Sequence, residues 1–163
     1  MLKVGDKLPD GTLMQWNGSE IVSASVADIF EGSDVLAVGV VGAFTPVCAG
    51  SHIVEYVPMV DLFKQTGHVN RIICVSAADP FVMHAWGDNI GAGGKIEMWS
   101  DPDAAFAKAI GITADFSALG LGIRSGRFSL VAHDREVTTL NVEDDPGVVT
   151  VSGAEKMREQ LAA

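Results

Sequence analysis

The segment VLAVGVV, residues 35–41, contains no polar side chain. A continuous apolar run of this length is typical of a β-strand that is buried on both faces. The loop GAFTPV follows at residues 42–47, and the pattern then predicts a helix over residues 48–65. We expect Gly67 to end this helix, and we expect Pro58 to bend or break it because proline lacks the donor N–H.

Strands and helices alternate after this first strand. Residues 71–76, RIICVS, and residues 95–99 predict a second and a third strand. Asp-Pro pairs at residues 79–80 and 101–102 indicate helix starts, because Asp caps a helix and proline fits its first turn. Residues 112–126 are rich in glycine and serine and predict a long loop.

The N-terminal region predicts a β-hairpin followed by a short helix. The pair Asn17-Gly18, a favoured hairpin turn, is flanked by strand-like residues 12–16 and 20–23. Ser25 is placed to cap the helix that follows.

The C-terminal region predicts two strands, residues 127–132 and 137–142, before a last helix that Ser152 and Glu155 cap reciprocally. The whole order predicts an α/β fold with a central mixed sheet flanked by helices. We expect residues 1–163 to form a single domain.

Composition excludes some classes of partner. The 163 residues carry 11 Lys or Arg and 21 Asp or Glu, which gives a net charge of −10. A surface this acidic repels nucleic acid and anionic lipid, and we therefore expect neither as a partner.

Residues 35–54 are uncharged and long enough to span a membrane, but glycines and Pro46 interrupt them. The first 11 residues contain no apolar signal segment, and we expect a cytoplasmic location.

The chain has two cysteines, Cys48 and Cys74, which we expect to be reduced thiols. Cys48 lies where the first predicted helix begins, and the free backbone N–H groups of a helix start stabilise an anion such as a thiolate. Thr45, three residues earlier, presents a hydroxyl to the same region. Alternatively, Cys48 is a packed core cysteine. Cys74 lies inside an apolar strand and by itself is typical of a core residue.

His52 and Arg127 each allow two interpretations. His52, one turn after Cys48, suggests a Cys-His nucleophile pair or half a metal site, but no second Cys/His pair has ligand spacing. A histidine hydrogen-bonded to nearby residues is therefore favoured, and we expect no metal. Arg127 is either a solvated charge at a strand start or, if it faces Cys48, a cation that stabilises the thiolate.

GAFTPVCAGSH, residues 42–52, resembles the segment PGAFTPxCxxxH of the type II peroxiredoxins, the subfamily of peroxiredoxin 5. Other segments follow in family order and extend the resemblance over nearly the whole chain; they are SAADPFVMHAWG (76–87), DPDAAFAKAIGI (101–112), GLGIRSGRFSLV (120–131), LNVE (140–143) and VSGAEKM (151–157).

The resemblance implies a thioredoxin-like fold and a thiol-dependent peroxidase that reduces hydrogen peroxide or small organic hydroperoxides. It implies that Cys48 is the peroxidatic cysteine, that Thr45 orients it and that Arg127 activates it. Cys74 falls where plant-type members carry a second cysteine, so it is a possible resolving thiol. The family needs no metal or organic cofactor. Its members form homodimers and are recycled by glutaredoxin, thioredoxin or glutathione.

The chain departs from the family segment at two positions. Val41 stands where the family has proline, and Ala78 stands where it has asparagine. Valine can shield a thiolate from water but cannot fix φ as proline does. A thioredoxin-fold binding or chaperone-like module with weak redox activity is therefore an alternative. A second alternative is an acyl hydrolase that uses Cys48 and His52, which needs a base within hydrogen-bond reach of the sulfur.

Overall fold

A mixed β-sheet organises the chain in the computed structural model, which describes residues 1–66 and 69–163. The strands are β1 (Thr12–Trp16), β2 (Ile21–Ser25), β3 (Asp34–Gly39), β4 (Arg71–Ser76), β5 (Glu97–Ser100), β6 (Thr113–Phe116), β7 (Gly122–Ser125), β8 (Phe128–His133) and β9 (Glu136–Val142). Seven of them form one sheet in the order β2-β1-β5-β4-β3-β8-β9. The pairs β3–β4 and β4–β5 are parallel and the other pairs are antiparallel, which confirms the predicted mixed sheet.

Helices cover both faces of this sheet. They are α1 (Val26–Phe30), α2 (Ile53–Tyr56), α3 (Val60–Thr66), α4 (Pro80–Asn89), α5 (Ala105–Ile110) and α6 (Ala154–Ala162). Alternate residues of β3 divide the core, because successive side chains of a strand point to opposite faces. Leu36 packs in the cluster that contains residues of α2, α3, α4 and α6, whereas Val35 packs in the cluster that contains residues of α1 and α5. Among the described residues, every helix is too short or too polar to cross a membrane.

The helix predicted over residues 48–65 is divided into four pieces. A π-helical turn, Cys48–His52, leads into α2, and a 3-10 turn, Val57–Met59, separates α2 from α3. Pro58 lies in that 3-10 turn, so the predicted break is confirmed. The predicted end of the helix, Gly67, lies outside the described residues.

The N-terminal predictions are confirmed. Strands β1 and β2 form the hairpin around Asn17-Gly18, pairing from Thr12↔Ser25 to Trp16↔Ile21. Ser25 caps α1, since its hydroxyl accepts the N–H of Asp28 while the Asp28 carboxylate accepts the N–H of Ser25.

The long loop predicted over residues 112–126 is wrong. This segment contains the antiparallel hairpin β6–β7, which pairs from Thr113↔Ser125 to Phe116↔Gly122. The two strands are mostly half-buried or exposed and Gly122 has a φ of +69°, so neither an apolar run nor the usual strand composition marks them.

One of the two predicted Asp-Pro helix starts differs from the prediction. Asp79 caps α4 as expected, accepting the N–H of Val82. Asp101 instead accepts the N–H groups of Phe106 and Ala107, so α5 begins only after a 3-10 turn.

The reciprocal cap predicted for Ser152 and Glu155 is also wrong. Gly153 is the N-cap of α6 and makes no side-chain cap. The Ser152 hydroxyl is engaged elsewhere, because it donates to the carboxylate of Glu143 at 2.8 Å.

Candidate active site

The loop after β3 delivers Cys48 to the start of the π-helical turn, where its side chain is fully buried. Within the loop, the Thr45 hydroxyl donates to the carbonyl of Gly42 at 2.7 Å, and the N–H of Ala49 donates to the carbonyl of Thr45. Phe44 has a φ of 61°, a left-handed conformation that is costly for a bulky residue. Strained backbone of this kind is held by its surroundings and is common at functional sites.

Arg127 lies next to Cys48, although it is distant in the sequence. It immediately precedes β8, which pairs with β3 so that Phe128 lies opposite Gly39. The Phe128 ring occupies the space beside Gly39 that any side chain would need, since a Cβ atom there would lie 2.0 Å from the ring. The Nη1 atom of Arg127 donates to the Sγ atom of Cys48 at 3.3 Å. The surface interpretation of Arg127 is therefore wrong, because its side chain is only 2% exposed.

Two further hydrogen bonds hold the guanidinium. Its Nε atom donates to the carbonyl of Pro146 at 2.9 Å, and Nη1 lies 3.0 Å from Nδ1 of His52. Because arginine has donors and no acceptor, Nδ1 of His52 must accept this bond. The other ring nitrogen, Nε2, therefore carries the proton and donates to the carbonyl of Ser152 at 3.2 Å.

His52 is fully buried, and its partners are distant in sequence rather than nearby, so the prediction of local bonding is wrong. Burial and then the positive charge of Arg127 lower the pKa of His52 to about 4. The imidazole is therefore neutral at physiological pH. Both of its ring nitrogens are engaged, by Arg127 and by Ser152, so His52 does not have the geometry of a base for the Cys48 thiol.

Glu143, which our sequence reasoning missed as a site residue, organises the loop behind the arginine. Its carboxylate accepts hydrogen bonds from the backbone N–H groups of Thr150, Val151 and Ser152 and from the hydroxyls of Thr150 and Ser152. Burial opposes its ionisation, but these hydrogen bonds prevail and lower the pKa of Glu143 to about 2. Its partners lie several residues downstream in a loop without regular structure, so no periodic pattern marks it.

A cavity of about 210 Å³ opens beside the cysteine loop. Its lining is mainly apolar and includes Val41, Thr45, Phe116, Leu119, Leu121 and Arg127. Val41, which replaces the family proline, is 6% exposed and forms part of this wall. The cavity therefore joins an apolar surface to the guanidinium that contacts Cys48.

Cys74 lies in the central strand β4, fully buried and in the same apolar cluster as Cys48. Both cysteines are free thiols. Burial, and then the nearby Cys48, raise the pKa of Cys74 well above its usual range. The tertiary structure thus brings the two thiols to one side of the sheet but keeps Cys74 protonated.

Nothing in the part of the chain that the structure describes resembles a metal centre, since no three His, Cys, Asp or Glu side chains there group as ligands would.

Comparison with known proteins places this chain in a family. The Redoxin family model matches residues 3–157. Peroxiredoxin-2C of Oryza sativa subsp. japonica is 39% identical over 159 residues, which cover 97% of both chains. A reduced Prx3 of Vibrio vulnificus in complex with H2O2 has a TM-score of 0.93 at 38% identity and 99% coverage of both chains. Peroxiredoxin 5 of Alvinella pompejana has a TM-score of 0.79 at 34% identity, covering 89% of this chain and 92% of that one. With this likeness in sequence and thioredoxin-like fold, the chain belongs to the redoxin family and, within it, to the type II peroxiredoxins, which are thiol-dependent peroxidases.

Proposed function

We propose that the thiolate of Cys48 attacks the terminal oxygen of a hydroperoxide. An Sγ–O bond forms and the O–O bond breaks, so that the sulfur is oxidised by two electrons and the peroxide is reduced by two. The proton that the thiol gave up is returned through solvent to the leaving oxygen. The products are a Cys48 sulfenic acid and water or an alcohol. The hydrogen bond from Arg127 Nη1 to Cys48 Sγ carries this assignment.

Arg127 has two tasks in this reaction. A permanently charged guanidinium beside the sulfur stabilises the thiolate, since it cannot lose its own proton. It also stabilises the negative charge that develops on the peroxide oxygens in the transition state. Thr45 holds the loop through its bond to Gly42, and it lines the cavity through which we propose that the substrate enters.

The cavity supports a substrate range of hydrogen peroxide and small organic hydroperoxides. An apolar wall formed by residues such as Phe116 and Leu119 suits an alkyl group, while the guanidinium of Arg127 suits the peroxide oxygens. A volume of about 210 Å³ suits a small organic group.

We propose that an external thiol, such as glutaredoxin, thioredoxin or glutathione, reduces the sulfenic acid. The attacking thiol forms a mixed disulfide with Cys48 and releases water, and a second thiol then releases reduced Cys48. Resolution by Cys74 is the less favoured route. Only a thiolate attacks sulfur efficiently, and Cys74 is buried with a raised pKa.

We also propose a cytoplasmic homodimer. Phe44 and Phe81 are each 53% exposed and Leu119 is 72% exposed, which leaves apolar side chains for a second copy to cover. A reducing compartment keeps both thiols in the form that the reaction requires.

The first experiment treats the fully reduced protein with one equivalent of hydrogen peroxide and follows peroxide loss and intact mass. Rapid loss with one added oxygen supports the sulfenic acid and an external reductant. Loss of two hydrogens, with an intermolecular bond excluded, assigns resolution to Cys74. Peroxide that persists beside an unchanged mass contradicts the proposal and favours the binding module. The Cys48→Ser variant is the control, and we expect it to leave the peroxide untouched.

A further inference from the structure

We propose that His52 is a positioning residue: as a neutral hydrogen-bond acceptor, it holds the Arg127 guanidinium against the sulfur of Cys48. This inference rests on the proposed roles of Cys48 and Arg127 and assigns a task to the histidine beside them. His52 touches neither the sulfur nor the substrate in this assignment; it acts through the arginine.

The hydrogen-bond donors of Arg127 that have partners in this site lie on two of its nitrogen atoms. Its Nη1 atom carries two hydrogens and has two partners, Sγ of Cys48 at 3.3 Å and Nδ1 of His52 at 3.0 Å. The Nε atom has a third partner, the carbonyl of Pro146 at 2.9 Å. A planar guanidinium held at two separate nitrogens has its plane fixed, whereas one held only at Nε can rotate. The bond to His52 is therefore what directs the remaining Nη1 hydrogen at the sulfur.

The charge state of His52 matters as much as its position. A carboxylate at this place would also accept from Arg127, but it would neutralise the charge that the thiolate needs. The groups that face His52 are Arg127 before β8, Glu143 at the end of β9 and Tyr56 on α2. Arg127 disfavours the imidazolium and Glu143 favours it, but burial dominates and keeps the ring neutral. A protonated ring would present a second donor and a like charge to Nη1 and would break the bond.

The other ring nitrogen of His52 is also hydrogen-bonded. Nε2 of His52 donates to the carbonyl of Ser152, which also accepts the hydroxyl of Tyr56 at 2.6 Å. The N–H and hydroxyl of Ser152 both donate to the Glu143 carboxylate. A continuous chain of hydrogen bonds thus runs from Glu143 through Ser152, His52 and Arg127 to Cys48. It fixes the tautomer that presents a bare Nδ1 to the arginine.

Three variants distinguish the hydrogen bond that His52 makes with Arg127 from the one that it makes with Ser152. In His52→Asn, the amide oxygen takes the place of Nδ1 and can accept from Arg127, while the bond to Ser152 is lost. In His52→Gln, the amide nitrogen reaches toward Ser152, and the acceptor for Arg127 is lost. His52→Leu removes both bonds. We expect Gln and Leu to lower the second-order rate constant for hydrogen peroxide by about 10- to 100-fold, the usual effect of losing a hydrogen bond to a charged group. His52→Asn should keep a rate constant much closer to that of the unmodified protein.

The matched control is His133→Gln, which makes the same substitution at an exposed histidine and should leave the rate unchanged. The pH profile of Cys48 alkylation by iodoacetamide should move to higher pH in His52→Gln and His52→Leu but not in His52→Asn. A side chain that merely fills space would shift none of these profiles selectively. Circular dichroism and thermal melting identify any variant that fails to fold.

A double-mutant cycle completes the test. In the Arg127→Ala background, His52→Gln should cause no further loss, because its effect passes through the arginine. Additive losses in the double variant, or a rate in His52→Asn as low as in His52→Gln, would overturn the inference. If instead the unmodified protein fails to consume peroxide, the proposed function itself is wrong. That outcome is distinct from the others because it precedes any comparison of variants.

Discussion

The Nη1 atom of Arg127 lies 3.3 Å from the Sγ atom of Cys48, although 79 residues separate them in the sequence. Both side chains are buried, so water screens the contact little. A guanidinium cannot lose its proton in a protein, so the contact places a permanent positive charge beside the sulfur.

Replacing Arg127 should impair the attack on peroxide. We expect Arg127→Ala to lower the second-order rate constant by at least about 10- to 100-fold, because a hydrogen bond to a charged group is lost together with the charge. Arg127→Lys should be intermediate, since one ammonium cannot reproduce bonds from two guanidinium nitrogens. Stopped-flow measurement of peroxide consumption checks this. Arg158→Ala, at an exposed ion pair with Glu155, is the control, and a loss of the same size there would count against the assignment.

Glu143 should stabilise the fold in a pH-dependent manner. Its pKa is lowered in the folded protein from its ordinary value of 4.5 to about 2. The unfolded chain therefore binds a proton more readily, so the stabilisation is complete above about pH 4.5 and is lost as the pH falls toward about 2. Urea unfolding across this range should show that loss.

The Glu143→Gln variant tests the same point. It should lower the free energy of unfolding at pH 7 by about 2 kcal/mol, because the amide oxygen carries no charge and the amide nitrogen cannot accept the hydroxyl of Thr150. It should also flatten the dependence on pH between about 4.5 and 2. Glu159→Gln, at an exposed position of α6, should change neither quantity. If the free energy of unfolding of Glu143→Gln fell between about pH 4.5 and 2 as steeply as that of the unmodified protein, other carboxylates would be the cause of the acid sensitivity.

Gly39 should tolerate no side chain. A Cβ atom there would lie 2.0 Å from the ring of Phe128, so Gly39→Ala must displace that ring or the strand β8, which carries it next to Arg127. We expect a loss of about 1–3 kcal/mol or more in the free energy of unfolding, together with a slower peroxide reaction. Gly93→Ala is the matched control, because its Cβ atom would meet only the Asp88 side chain at 3.5 Å. Equal effects at the two glycines would show that the ring contact is unimportant.

Cys74 should not be needed for turnover with an external thiol. We expect Cys74→Ala to consume one equivalent of hydrogen peroxide with the same amplitude as the unmodified protein and to be recycled by glutathione or glutaredoxin. The reason is that a buried thiol with a raised pKa attacks a sulfenic acid poorly. Intact mass after oxidation distinguishes an added oxygen from a disulfide. A rapid Cys48–Cys74 disulfide in the unmodified protein would contradict this expectation.

The amino-acid sequence alone predicted the seven strands of the central sheet, most of the helices and Cys48 as the candidate reactive residue. Residues 35–41 and 71–76 are continuous apolar runs, and Asp79 and Ser25 are local caps. These signals act between residues that are near one another in the chain, so composition and spacing record them. Placing Cys48 at a helix start and recognising the segment around it required no tertiary information either.

The architecture of the site depends on contacts between residues that are distant in the sequence. The contacts of Arg127 with Cys48 and His52, and of His52 with Ser152, join residues that are 75 to 100 positions apart. No local pattern encodes such pairs, and Ser152, which resembles a helix cap, bonds to Glu143 instead. The β6–β7 hairpin was missed for a different reason, because neither an apolar run nor the usual strand composition marks its two strands. Which hydrogen bonds a polar side chain makes depends on the partners that the folded chain brings to it, and the sequence around the side chain does not contain them.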